Sequence, residues 1–208
     1  MESPAQNDFP LFPLPIVLLP SEVVPLHIFE DRYKAMVAHC LDARTEFGIV
    51  WLADDGLKEV GCSAQIAEVL ERAPDGRMNI LVRGAHPFRL VERQEDLVYP
   101  AGTVEFLEDG PIEVEDQVGD EARERYADLL EEITDERPDA GALSALSAYE
   151  MAASVEIDPE LKQGLLELRS EEERLKLLAR LFRDGIARLE RARKIADRAR
   201  TNGKVSLQ

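Results

Sequence analysis

The sequence is short of several things, and each shortage removes a class of protein. Only two of its 208 residues are cysteines, Cys40 and Cys62. Two are too few for a disulfide framework; Cys40 falls in a predicted helix and Cys62 beside Gly61 in a predicted strand, and both read as small core residues. Histidine is also scarce: His27, His39 and His86 are all there are. His39 and Cys40 are adjacent, so on a helix they point about 100° apart and cannot easily share one ion. Neither a metal nor a cofactor is expected. There is no G-x-x-x-x-G-K-[ST] phosphate loop, which argues against ATP hydrolysis of that kind. No apolar run approaches the ~18 residues a membrane span needs, and no basic, apolar leader precedes the domain. A cytoplasmic protein without membrane attachment is expected. Positive charge is in deficit, with 25 Lys and Arg against 42 Asp and Glu and a formal net charge of −17. Nucleic-acid phosphates need a basic footprint, so nucleic acid is disfavoured as a general partner.

What is present is concentrated in residues 11–37, LFPLPIVLLPSEVVPLHIFEDRYKAMV. Pro10, Pro13, Pro15, Pro20 and Pro25 lack a backbone donor and suit neither a helix interior nor a central strand. Residues 16–19 are apolar and partly β-branched, which predicts a buried strand. A turn at Pro20-Ser21 and an extended piece over residues 23–27 follow. A helix is then expected from about Glu30 to Ala43, with Phe29, Tyr33, Val37, Cys40 and Leu41 on its inner face. Glu30 and Asp31 suit the positive helix N-terminus, so no catalytic carboxylate pair is needed to explain them. His27, in apolar company, reads as a packed, hydrogen-bonded histidine.

Residues 47–53 predict a buried strand. Residues 61–72 predict a second, whose break in phase near Glu68 suggests a bulge. Asp75-Gly76 is a turn signal leading into a strand over residues 78–82. Two further strands are expected at residues 88–91 and 102–107. After Asp109-Gly110-Pro111 the pattern becomes helical, with helices over residues 117–134 and 142–154. Another starts at Asp158-Pro159, with Asp as N-cap. Ser170 and Glu173 form a capping-box pattern ahead of a last helix reaching about Thr201. The fold class is therefore α+β. Residues 105–136 are almost purely acidic, and the segment after Arg180 is basic. That basic end has three readings: a partner for the acidic helix, a contact between copies of the chain, or a contact with RNA or anionic lipid.

The ordered motifs resemble the Lon protease N-terminal domain family. The family pattern LPLFPL, a VVLFPG-like strand, LPLHIFEPRY and FGIV is matched by residues 10–14, 16–20, 24–33 and 47–50. Val60-Gly61, Pro74-Asp75-Gly76-Arg77, Asn79-Ile80, Gly84 and Phe88-Arg89 extend the match. Ser21 stands where glycine is usual, and Asp31 where proline is common. The resemblance implies a PUA-like β-barrel of about six strands plus one helix, followed by an all-helical C-terminal bundle with a long last helix. In those terms, residues 1–9 are a flexible tail, 10–110 the barrel and 111–208 the helical part. It also implies a non-catalytic module that binds unfolded or misfolded polypeptide, with a protease as a further partner and an adaptor role in proteolysis. No residue matches the family's Ser-Lys protease motif. Phe12, Leu14, Phe29, Arg32 and Tyr33 are the candidate polypeptide-binding residues. A homo-oligomer through the last helix is a further expectation. The alternative is a PUA-like RNA or small-ligand binder, which would need the basic C-terminal helix.

Overall fold

A computed structural model of the chain describes residues 5–94, 97–110 and 115–202. Six strands come first: β1 (Gln6–Leu14), β2 (Val23–Ile28), β3 (Phe47–Ala53), β4 (Gly56–Arg72), β5 (Met78–Gln94) and β6 (Ala101–Phe106). Helix α1 (Asp31–Ala43) lies between β2 and β3. Then follow α2 (Asp116–Thr134), α3 (Ala140–Ser144), α4 (Ala148–Ala153), α5 (Pro159–Glu167) and α6 (Glu171–Asn202). The residues divide into two compact units. Met1–Pro111 with Tyr149–Ser170 form the sheet unit, and Ile112–Ala148 with Glu171–Gln208 the helical unit.

In the sheet unit the strand order is β2-β5-β4-β3-β1-β6, and β6 pairs with β5 as well. The 17-residue β5 makes this possible. Its first half pairs with β2, from Met78 opposite Ile28 to Arg83 opposite Val23. Its second half pairs with β6, from Phe88 opposite Phe106 to Gln94 opposite Ala101. Strands β5, β4, β3, β1 and β6 therefore form a closed ring of pairings. β1 runs parallel to β3, and the remaining pairs are antiparallel. Phe9, Leu11, Val50, Phe88 and Val104 form a buried cluster. The ring of Phe9 meets those of Phe88 and Phe106 edge-on, each at 5.7 Å. Edge-to-face contact is favourable between aromatic quadrupoles.

Several expectations need correction. The first strand starts at Gln6, inside the segment read as a loose tail, because Phe9 is buried and pairs opposite Gly102. Residues 16–19 are not a strand, although Val17, Leu18 and Leu19 are buried. Pro15 and Pro20 bracket them, and local bonds replace a ladder. The Leu19 N–H donates to Glu22 Oε2 at 3.0 Å, and Ser21 N–H and Gly84 N–H bond the Gly84 and Glu22 carbonyls at 2.9 Å each. This buried loop lies so close to β5 that a Cβ on Gly84 would stand 2.0 Å from the Leu19 carbonyl oxygen. Glycine is required there for clearance. The strands expected at 78–82 and 88–91 are one strand, since Gly84 and Pro87 sit at an irregularity in the β4–β5 register instead of ending β5. The bulge read near Glu68 is present as a register shift between Ile66 and Glu68.

The expected boundary at residue 110 also moves. Residues 149–170, placed in the helical part by sequence order, belong to the sheet unit. Gln163 Nε2 of α5 donates to the Val60 carbonyl of β4 at 3.1 Å, and Lys162 Nζ pairs with Glu22 Oε1 at 2.5 Å. The Gly110 N–H donates to the Arg169 carbonyl at 3.2 Å. Sequence distance hides such contacts.

In the helical unit α2 packs on α6. Ala122, Tyr126 and Leu129 of α2 are buried, as are Leu175, Leu178 and Phe182 of α6. The Tyr126 and Phe182 rings lie 5.5 Å apart. The helix expected over 142–154 is two short ones, α3 in this unit and α4, whose residues after Ala148 belong to the sheet unit. Within the helical unit the Glu171 carboxylate accepts from the Ala148 N–H at 2.6 Å. On the basic end of α6, Arg193 pairs with Glu132 of α2 at 2.5 Å, the first of the three readings given above. Among the described residues no helix is long and apolar enough to cross a membrane.

Candidate functional site

A groove of about 730 Å³ opens on the sheet unit where β1, β2 and α1 meet the segment between β5 and β6. One wall is Leu11 to Pro15, at the C-terminal end of β1. Beyond Pro10, whose partner is Ala101, β6 no longer pairs with β1. The second wall is His27, Ile28, Phe29, Glu30, Arg32 and Tyr33. The third is Arg93, Gln94 and residues 97–101, and Leu52 and Leu57 complete the lining.

All five candidate residues line this groove, with different exposure. Phe12 and Tyr33 are buried and form its floor, their rings 4.1 Å apart at 31°. Phe47 backs Phe12 at 6.2 Å. Leu14 is half-buried at the end of β1. Phe29 does not join the inner face of α1. It is 59% exposed on the rim, because the helix begins two residues later, at Asp31. Arg32 is exposed. Its guanidinium lies 4.6 Å from the Tyr33 ring centroid, and its Nη2 pairs with Glu30 Oε2 at 2.8 Å. The Tyr33 hydroxyl is pushed above its ordinary pKa by burial, with Arg32 opposing that shift.

The sequence reading missed three rim residues. Leu52 is 50% exposed, Leu97 46% and Val98 78%. Leu97, Val98 and Tyr99 form a short apolar run ending at Pro100, outside any strand. An apolar run that no element buries is the signal that could have found them. With Phe29, these supply four of the nine large apolar side chains exposed among the described residues, all on one groove.

The groove holds little reactive chemistry. His27 Nδ1 lies 2.6 Å from Asn79 Oδ1, and its ring stacks on Phe29 at 5.8 Å. The two thiols lie elsewhere in the core, and burial pushes both above the ordinary thiol pKa, Cys62 most strongly. What the fold presents is an α+β, mixed-sheet protein with an apolar cleft and a few convergent polar groups.

The chain belongs to the family of the ATP-dependent protease La (LON) substrate-binding domain, whose profile matches residues 8–184. It is 27% identical over 186 residues to a Lon protease of Paraburkholderia phytofirmans, covering 78% of this chain and 23% of that protein. A LON peptidase N-terminal domain and RING finger protein of Schizosaccharomyces pombe is 26% identical over 189 residues, covering 80% and 39%. The chain thus spans well under half the length of these relatives. The crystal structure of a Lon N-terminal domain protein from Xanthomonas campestris superposes with a TM-score of 0.65 at 25% identity, covering 83% of this chain and 97% of that one. The N-terminal domain of a Mycobacterium avium complex Lon protease shares the fold, with a TM-score of 0.59 at 21% identity over 87% and 98%.

Proposed function

We propose that this chain is a non-catalytic polypeptide-binding module whose groove takes unfolded or misfolded segments, acting as an adaptor for proteolysis. The convergence of Phe29, Leu52, Leu97 and Val98 on one groove carries the reading. A contiguous exposed apolar patch on a highly charged protein marks an interaction site. Family membership supports polypeptide as the occupant, and the closed ring of pairings supports reading the sheet as a PUA-like β-barrel. Charge weighs against the RNA reading. The sheet unit has 24 of the 42 acidic residues and 11 of the 25 basic ones, so it repels phosphates.

The test is fluorescence anisotropy of labelled, reduced and carboxymethylated α-lactalbumin, titrated at low and moderate salt. Saturable binding that survives salt is expected. The double variant Phe29→Ala, Val98→Ser should weaken it about tenfold, equivalent to ~1.4 kcal/mol. Its thermal midpoint should stay near wild type, since both side chains are exposed. Equal affinity in the folded double variant would move the site elsewhere.

A further inference from the structure

Phe29 follows the end of β2 and precedes α1, so neither element fixes its ring. A row of polar side chains across three strands does so instead. Asn79 of β5 stands in register with His27 of β2 on one side and Glu71 of β4 on the other. Asn79 Nδ2 donates to Glu71 Oε2 at 2.9 Å. An ionised carboxylate only accepts, so this bond sets the amide orientation and turns Oδ1 toward His27. The imidazole must then present its N–H at Nδ1, 2.6 Å away. That bond fixes the plane of the ring, and Phe29 stacks on it at 22°.

We infer that Glu71, Asn79 and His27 are positioning residues that hold Phe29 on the groove rim. The inference rests on the groove reading above for its consequence, though not for its geometry. A free Phe29 would lose rotamer entropy on binding, and a held ring has lost it already. All the bonds in the row are exposed, so breaking them should leave the fold intact.

The experiment is NMR of the free protein together with the polypeptide titration. In Asn79→Ala and Glu71→Ala the Phe29 and His27 ring resonances should move toward averaged positions. Glu71→Gln should keep them in place, because the glutamine oxygen still accepts from Asn79. Affinity for carboxymethylated α-lactalbumin should fall about threefold to tenfold in the alanine variants and recover in Glu71→Gln. Ring resonances that stay put in a folded Asn79→Ala protein would overturn the inference. If the wild-type protein binds no polypeptide, the groove reading fails. The ring resonances then still decide: loss in Asn79→Ala upholds the positioning role, and persistence ends it.

Discussion

The two units bury their apolar side chains by different routes, and the difference explains why the apolar groove lies on the sheet unit. In the helical unit, residues at helical spacing on α2 and α6 meet along one seam, and an ionic mesh covers the outside. Arg137 alone pairs with Glu124, Asp128 and Glu131. In the sheet unit, burial comes from residues far apart in sequence, such as Phe9 against Phe88 and Phe106. Closing a ring of strands leaves two ends, and the groove opens where β6 stops pairing with β1. A helix seam can be extended by adding turns, whereas a closed ring must finish somewhere. Four exposed apolar residues collect at that finish.

The strongest way to test the contrast is to cut the same residue type from each core. Phe88 and Phe182 are both buried. Phe88→Ala removes the ring shared by Phe9 and Phe106, and should cost about 3–5 kcal/mol in urea denaturation. Polypeptide binding should be lost with it. Phe182→Ala should cost a comparable amount, about 3 kcal/mol, by opening the seam against Tyr126. If the units differ as argued, residual binding per folded molecule survives Phe182→Ala. Equal loss of binding in the two variants would tie the site to the helical seam.

A smaller effect tests which unit owns α5. Glu22 and Lys162 are mostly buried, with side chains 11% and 15% exposed, and Glu22 also accepts from the Leu19 N–H. Lys162→Met leaves the carboxylate with that one donor, and should cost about 2 kcal/mol. In a double-mutant cycle with Glu22→Gln, a coupling of about 1 kcal/mol or more is expected for a pair in direct contact. Coupling near zero would mean that α5 is held to the sheet by Gln163 and apolar contacts alone.

The same contrast explains what could be read from the chain. Local rules located α1, β3 and the bulge near Glu68, because spacing and phase are properties of neighbouring residues. Both departures from the family pattern also have backbone meaning. Ser21 takes φ 68°, the left-handed conformation that glycine adopts freely, and Asp31 is the first helical residue, where proline is tolerated. Residues 16–19 misled because burial was equated with pairing, and here a loop is buried under Gly84. Phe12 and Tyr33 stand in two separate family motifs, and the fold brings their rings together at the groove. Leu97 and Val98 stand in neither, since ring closure sets their neighbours and sequence proximity does not.

The smallest effect separates surface charge from packing in the helical unit. Arg193 and Glu132 are close, at 2.5 Å, but the arginine side chain is 56% exposed. Water and salt screen such a pair, and holding two long side chains together costs entropy. Arg193→Ala should therefore change stability by less than about 1 kcal/mol, and the difference should shrink as salt is raised. A loss that large or larger, unaffected by salt, would show that Arg193 acts through the packing of its aliphatic stem. The basic end of α6 would then belong to the seam, and the groove alone would distinguish the two units.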